Sequence, residues 1–519
     1  MTEVLWKNLA KDIDDLTKIS DEIDADLVEH NEDPSAHGQT NEAIEVHRVG
    51  EILDHLNGST TGIKLAVSGK VADAIVAASG GDYTDIQSAI DAGKKAIFVK
   101  RGTYSLDADI VIPSDVSIFG EDKYDTIIDL NGDHQIKSVG DTPYITGTIT
   151  ATNGSAILVG SGTLWLANLA VNDFIVFHRN VYKITAVTDN THITVDIVYK
   201  GKTKSLISYN AGTFKYDVDV SNFTISGHDV SSAKGAVYLY GVVKSHLNNL
   251  IIKDNDLSYS YGVYLDHSFN NVFFDLKVSN NGSRGISLNY SDNNILSNIA
   301  ANNNGYVGLF LNYSDNNILS NITANSNNNN GIYLQRSEDN TLSNIITNHN
   351  NGNGFVSYLS HRSIFSNITA NFNNTHGFSL VDNNHSVISN VECNGNGSYG
   401  VYLQGSDDNV LSGMVVRKND HYGILLYDSN YNVVSGNKVM DNSQAANNTY
   451  SEIILAVTST YNIISNNNIR CTQANKSAYG IREDTVADDW NLVHGNTVRG
   501  AVTAQISLQG VNSVNADNI

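Results

Sequence analysis

The chain has 519 residues, 17% of them charged, and 55 acidic against 32 basic side chains give a formal net charge of −23 at pH 7. Such a surface repels nucleic acid and anionic membrane, so neither is an expected partner. No stretch is apolar over the ~20 residues a membrane-spanning helix needs, and two cysteines far apart in sequence, Cys393 and Cys471, indicate no disulfide framework.

Residues 1–56 read as helix. Trp6, Leu9, Ile13, Leu16, Ile23 and Leu27 follow 3-4 spacing, with Ser20 the weak member, which predicts a short coiled-coil seam and an oligomer, a trimer by expectation. The opening "MTEVLWKNLAKDIDD" has no basic region followed by an apolar run, so no secretory signal is expected. His30, His37, His47 and His55 read as solvated or capping groups, with metal binding on an oligomer axis the alternative; no cofactor is expected. Residues 57–80 are a polar linker. Residues 81–139 open with "GDYTDIQSAIDAGKKAIFVKRGTYSL", where Thr84 can cap a helix bearing Ile86, Ala89 and Ile90 before a strand. Residues 140–212 change character: short alternating strands separated by turn residues predict a small inserted β-barrel or sandwich.

From residue 213 to the end a repeat takes over. "NYSDNNILSNI" stands at 289–299 and again at 312–322. Gly262, Gly285, Gly308, Gly331, Gly354, Gly377, Gly400 and Gly423 are each 23 residues apart. Behind each glycine, apolar residues alternate with others, as in Ile332-Tyr333-Leu334, which marks a strand with one buried face. A second short apolar run, such as "ILSNI", adds another strand per repeat. Helical repeats need about 33 residues, and the Leu-x-x-Leu-x-Leu frame is absent. The expected fold is therefore all-β: a right-handed, single-stranded parallel β-helix with one 23-residue coil per repeat. Identical residues then stack, so Asn294, Asn317 and Asn340 are expected to form an amide ladder. The three prolines are Pro34, Pro113 and Pro143, with none afterwards, as a continuous stack of hydrogen-bonded strands would exclude proline.

"DYTDIQSAIDAGKKAIFVKRGTYSL" resembles the entry segment of the pectate-lyase-like superfamily, and coils such as "GIYLQRSEDNTLSNI" resemble its β-helix repeat, shared with NosD-type proteins. With N-terminal helices and "EHNEDPSAHG" ahead of it, the chain resembles bacteriophage or archaeal virus tailspikes and tail fibres. That resemblance implies a homotrimer in a virion tail, bound to other tail or baseplate proteins, which recognises host surface polysaccharide and in many cases depolymerises it as a hydrolase or lyase. The alternatives are a non-catalytic structural or adhesive β-helix, and a NosD-like or epimerase-like cellular carbohydrate protein.

Candidate site residues lie on the repeat. Tyr264, Phe310, Tyr333 and Tyr402 form an outward row suited to stacking on sugar rings. Seven residues past each glycine come Asp292, Asp315, Glu338, His361, Asn384 and Asp407, and stacked carboxylates repel, so one of them can have a raised pKa. In the coils opened by Gly354 and Gly377 the Ser-Asp-Asn-Asn turn is replaced. This departure brings His361, Arg362 and Asp382 near Arg336, Glu338 and Asp339. Glu338, Asp339 and Asp382 are the candidate acids and bases, Arg336 and Arg362 the candidate clamps for an acidic sugar, and His361 a further substrate contact.

Overall fold

The computed structural model describes residues 66–67 and 70–519, except 133, 179, 229–233, 256–259 and 474. The expectations for residues 1–56 lie outside the described residues. A two-stranded pair, Ala66–Val67 with Lys70–Val71, is described by itself.

From Ala72 onward the chain is a right-handed parallel β-helix. One wall is a fourteen-stranded parallel sheet running from Ile110–Val111 to Ala504–Ser507. The strands behind the glycines, including Ile286–Asn289, Leu309–Asn312 and Ile332–Gln335, are its rungs. The remaining walls are stacked strands such as Ile295–Asn302, Ile318–Thr323 and Thr341–Ile346. These bend at left-handed asparagines, Asn298, Asn321 and Asn344, with φ near +55°, where Asn is among the residues that tolerate φ > 0 best. Higher in the stack the bend becomes a break, and Val387–Asn394 pairs with both Val410–Ser412 and Val415–Arg417. Partners across coils differ by 23 residues through the regular section: Leu311 faces Leu334, and Leu319 faces Leu342.

The glycine spacing has a steric cause. A Cβ on Gly331 would stand 2.7 Å from the Gly354 carbonyl oxygen and 2.8 Å from Asn350 Nδ2, and the other glycines of the column meet the same kind of neighbours. The asparagines that crowd them form a buried ladder from Asn281 through Asn304, Asn327, Asn350, Asn373, Asn396 and Asn419 to Asn442. In it the backbone N–H and, along most of its length, the side-chain amide donate to the next Oδ1: Asn327 N and Nδ2 lie 2.9 and 3.1 Å from Asn350 Oδ1. The ladder ends on buried Glu452, whose carboxylate accepts from Asn442 N and Nδ2. The column expected from sequence, Asn294–Asn317–Asn340, is built differently. There the backbone N–H donates to the next Oδ1, at 2.8 and 2.7 Å, while Asn294 and Asn340 Nδ2 reach carbonyl oxygens of Ser268 and Ser314. The side chains thus bond to backbone rather than to one another, because the backbone of a tight turn leaves donors that an amide oxygen satisfies.

The solenoid interior is one continuous apolar cluster, and Cys393 lies inside it, unpaired. The helix Ile86–Asp91 buries Ile86, Ala89 and Ile90 in that cluster. Its N-cap is Asp85, whose side chain accepts from Ser88 N at 2.8 Å, one residue later than the expected Thr84.

Between residues 148 and 212 the solenoid is interrupted by seven antiparallel strands in one sheet. Its separate core includes Trp165, Ile175, Phe177, Tyr182 and Tyr209. Trp165 Nε1–H donates to Tyr209 Oη at 2.9 Å. A smaller cluster bolts this insert to the solenoid: Phe174, Val176 and Val181 pack with Phe214, Val243 and Phe269.

Candidate functional site

Four successive rungs of the fourteen-stranded sheet end in a residue with left-handed backbone: His267, Tyr290, Tyr313 and Arg336, at φ 48°, 47°, 46° and 49°. Such conformations cost about 1–3 kcal/mol for a non-glycine residue. The cross-coil hydrogen bonds hold them, with Tyr290 N and Tyr313 N each 3.0 Å from carbonyl oxygens of the next coil. The result is a column of projecting rings. His267, Tyr290 and Tyr313 stack at 5.0 Å spacing, and the Arg336 guanidinium lies 5.2 Å over Tyr313 and hydrogen-bonds its hydroxyl.

Inward of this column lies an open groove of about 360 Å³. Tyr264, Phe310 and Tyr313 supply its aromatic surface, and Arg284 and Arg336 supply two cations. Asn289, Asn312 and Gln335 supply a row of amides, with Asn312 Nδ2 donating to Asn289 Oδ1 at 2.8 Å. Arg284 was not among the expected residues. It directly precedes Gly285, at the far corner of the coil, and its guanidinium folds over the Phe310 ring at 3.9 Å. Phe310 is consequently buried at 5% exposure, so Arg284 covers the ring face that was expected to meet a sugar. Tyr333 packs on Phe310 at 5.2 Å. Tyr264 stacks on Tyr238 and donates to Asp266 at 3.2 Å; burial and the Asp266 charge raise its pKa.

The expected acid cluster is partly assembled. Arg362 makes a two-point pair with Asp339, at 3.0 and 2.9 Å, and also reaches Glu338. These bonds, to Asp339 first and Glu338 second, raise the Arg362 pKa. The guanidinium expected to clamp a sugar carboxylate thus already holds two protein carboxylates. His361 Nδ1 accepts the Asn384 N–H at 3.0 Å, and Asp382, exposed, stands against Gly405 in the following coil. Tyr402 belongs to a different surface. It packs with His376 and Tyr399 beside Leu425 and Ile454, and burial pushes its pKa to about 12.

A second concavity involves the insert. A cleft of about 640 Å³ runs between Ile145, Phe177, His178 and Tyr209 on one side and Asp292, Asn293 and Asn316 on the other. Asp292 is the lowest of three stacked acids: Asp315 N–H donates to its Oδ1 at 2.8 Å, and Glu338 N–H to Asp315 Oδ1 at 2.6 Å. Although Asp292 keeps some accessible surface, burial against the cleft wall, followed by the Asp315 charge, pushes its pKa to about 7. Asp315 rises to about 6, through burial first and then the Glu338 and Asp339 charges, with Arg362 opposing. Sequence alone marks Asp292 as one of a row. Nothing in it says that residues from position 145 onward close over that member.

Among the described residues no group of three or more His, Cys, Asp or Glu is placed to hold a metal ion, and no helix is long and apolar enough to cross a membrane.

Two family models match this chain. One, described as periplasmic copper-binding protein (NosD), matches residues 186–375; the other, right handed beta helix region, matches residues 359–518. No curated protein matches. The A-module of mannuronan C-5 epimerase AlgE6 from Azotobacter vinelandii is 15% identical, with 84% of this chain and 94% of that one covered and a TM-score of 0.40. The gp49 tailspike of Pseudomonas phage LKA1 is 11% identical over 81% and 76%, with a TM-score of 0.48. The Gp54 tailspike of Acinetobacter baumannii phage AP22, solved with a capsular saccharide, is 11% identical over 94% and 80%, with a TM-score of 0.40. None of these likenesses bears on which groups act here.

Proposed function

We propose that this protein is a glycan-recognising β-helix, a viral tailspike or tail fibre that binds an acidic polysaccharide on a host surface. The observation that carries the reading is the groove in which Arg284 and Arg336 converge beside aromatic rings and a row of amides, on a chain of net charge −23. Two cations concentrated on so acidic a protein mark a local preference for an anion. Planar guanidinium groups suit a uronate carboxylate, and the Tyr264 and Tyr313 rings suit the apolar faces of its sugar. In this reading Tyr264, Tyr313, Arg284 and Arg336 form the binding face, with Phe310 held beneath Arg284 and Tyr333 packed against Phe310. Glu338, Asp339 and Arg362 form its charged upper rim, and His361, Asp382 and Tyr402 lie along the continuing chain path. The virion role rests on the resemblance carried by the N-terminal segment.

The test is binding of purified full-length protein to a panel of bacterial and archaeal surface polysaccharides. Acidic glycans are expected to bind, more weakly at high salt, and Arg336→Ala is expected to weaken binding about tenfold, the loss of one charge-assisted contact. Binding to neutral glycans alone, or to none, removes this reading.

A NosD-like or epimerase-like carbohydrate protein is the second reading, favoured by the family model over residues 186–375. Conversion of uronate stereochemistry in a bound glycan, without chain cleavage, would select it.

A further inference from the structure

The cleft between insert and solenoid is walled on two sides, as the open groove is not. Its volume of about 640 Å³ lies in the range of small-ligand sites, which favour junctions between domains. The wall is held in place: Phe174, Val176 and Val181 of the insert are buried against Phe269, which occupies the turn position one coil below Asp292. The insert therefore closes over one carboxyl of the stacked row and leaves the next two, Asp315 and Glu338, outside the cleft lining.

We propose that Asp292 and His178 are an acid–base pair that hydrolyses a glycosidic bond of the bound glycan across this cleft, a proposal that rests on the glycan reading above. The Asp292 carboxyl gives its proton to the glycosidic oxygen as the bond from that oxygen to the anomeric carbon breaks. His178 takes a proton from the water whose oxygen bonds to the same carbon. One water is consumed and each fragment gains one hydroxyl. The pair is left as carboxylate and imidazolium, and proton exchange with solvent restores it.

The surroundings favour the starting protonation states. Around Asp292 the charged groups are Asp315, then Glu338 and Asp339 with Arg362 beyond them, and His178 across the cleft. Burial and the Asp315 charge keep the Asp292 carboxyl protonated up to about pH 7. His178 keeps an exposed edge, but the part of its ring held against the cleft wall, and secondarily the Lys204 charge, lower its pKa and so favour the neutral, proton-accepting ring. Its Nδ1 is hydrogen-bonded to the Tyr199 hydroxyl at 3.0 Å, which orients the ring. Environments that push a carboxyl up and an imidazole down within one cleft assign the acid and the base.

The experiment uses the full chain and whichever polysaccharide binds in the assay above, following reducing ends, unsaturated uronate absorbance and binding together. The wild type is expected to release reducing ends without unsaturated product, at a rate that falls as pH rises above about 7. Asp292→Asn keeps the shape and the oxygen that accepts Asp315 N–H. It is expected to lose about 100-fold or more in rate, the usual worth of a general acid, while binding persists. His178→Gln, on the other wall, should lose at least tenfold by the same logic. It decides the matter if Asp292→Asn folds poorly by circular dichroism. Binding without cleavage by the wild type, unsaturated product, or wild-type rates in both variants overturns the acid–base pair. Absence of any binding overturns the glycan reading itself, and the pair falls with it.

Discussion

The regular coils between Gly285 and Gly423 and the inserted sheet of residues 148–212 solve the same problem, a buried interior, in opposite ways. Each coil borrows its stability from the coils above and below: the same Gly, Asn and Leu positions recur, and in the ladder through Asn304, Asn327 and Asn350 each amide oxygen accepts from, and each backbone N–H donates to, its copy one turn away. The insert has no copy of itself. Its core is a single set of unlike residues, Trp165 on Tyr209 and Phe177 on Tyr182, that fit only one another. A repetitive stack presents equivalent surface everywhere, so its acids start out alike. The unique insert breaks that equivalence at one coil, and that is where the cleft appears.

The largest expected effect separates the two regions. Trp165→Ala removes the buried centre of the insert and should cost it about 3–5 kcal/mol. The solenoid shares no contact in that cluster, so denaturant unfolding followed by far- and near-ultraviolet circular dichroism should split into two transitions, the insert first. A single cooperative transition would mean that the insert and solenoid fold as one.

Next comes the ladder. Asn327→Leu removes the acceptor of Asn304 N and Nδ2 and the donor to the Ala301 carbonyl. Two buried donors left unpaired predict a loss of about 2–5 kcal/mol in urea unfolding of the solenoid, with the insert transition unmoved. A loss under 1 kcal/mol would show that the ladder is dispensable. Gly331→Ala, which would force a Cβ to within 2.8 Å of two carbonyl oxygens and an amide, should cost about 1–3 kcal/mol by overpacking. The same change at Gly93, with no atom within 4 Å of an added Cβ but φ +76°, isolates the backbone cost from the steric one.

The smallest effect concerns pH. Asp292 and Asp315 have folded-state pKa values of about 7 and 6, against about 4 in an unfolded chain. Between those limits the native state holds protons that the unfolded state has released. Their contribution is therefore present in acid and lost as pH rises through about 6 to 7. The unfolding free energy should fall from pH 5 to pH 8, by on the order of 1 kcal/mol given the solvent that still reaches Asp292. Asp292→Asn should remove part of the slope, and Glu452, raised by burial to about 7, contributes with the same sign and keeps the rest. An unchanged slope in Asp292→Asn would show that the cleft leaves this carboxyl at its ordinary value.

Much of the scaffold was legible from spacing, because a parallel stack copies its constraints every coil. The glycine column and the alternation behind it both follow from one period. The site was legible only in pieces. Tyr264 and Phe310 of the aromatic row line one groove with Arg336, while Tyr333 and Tyr402 of the same row do not; Arg284 enters from the opposite corner of its coil, and no linear pattern connects residue 284 with Phe310. Arg362 stood out as an irregularity near Glu338 and Asp339, but the sequence cast it as a clamp for a sugar, whereas its guanidinium is already bonded to those two carboxylates.

What sequence by itself determined is the β-helix, its coil length and the rows of side chains, since these depend on contacts between equivalent positions a constant 23 residues apart. Tertiary structure alone decided which row members differ. Arg362 neutralises one end of an acid column, and the insert desolvates the other. Both effects arise from through-space distance and excluded water, which a repeated string of letters does not encode.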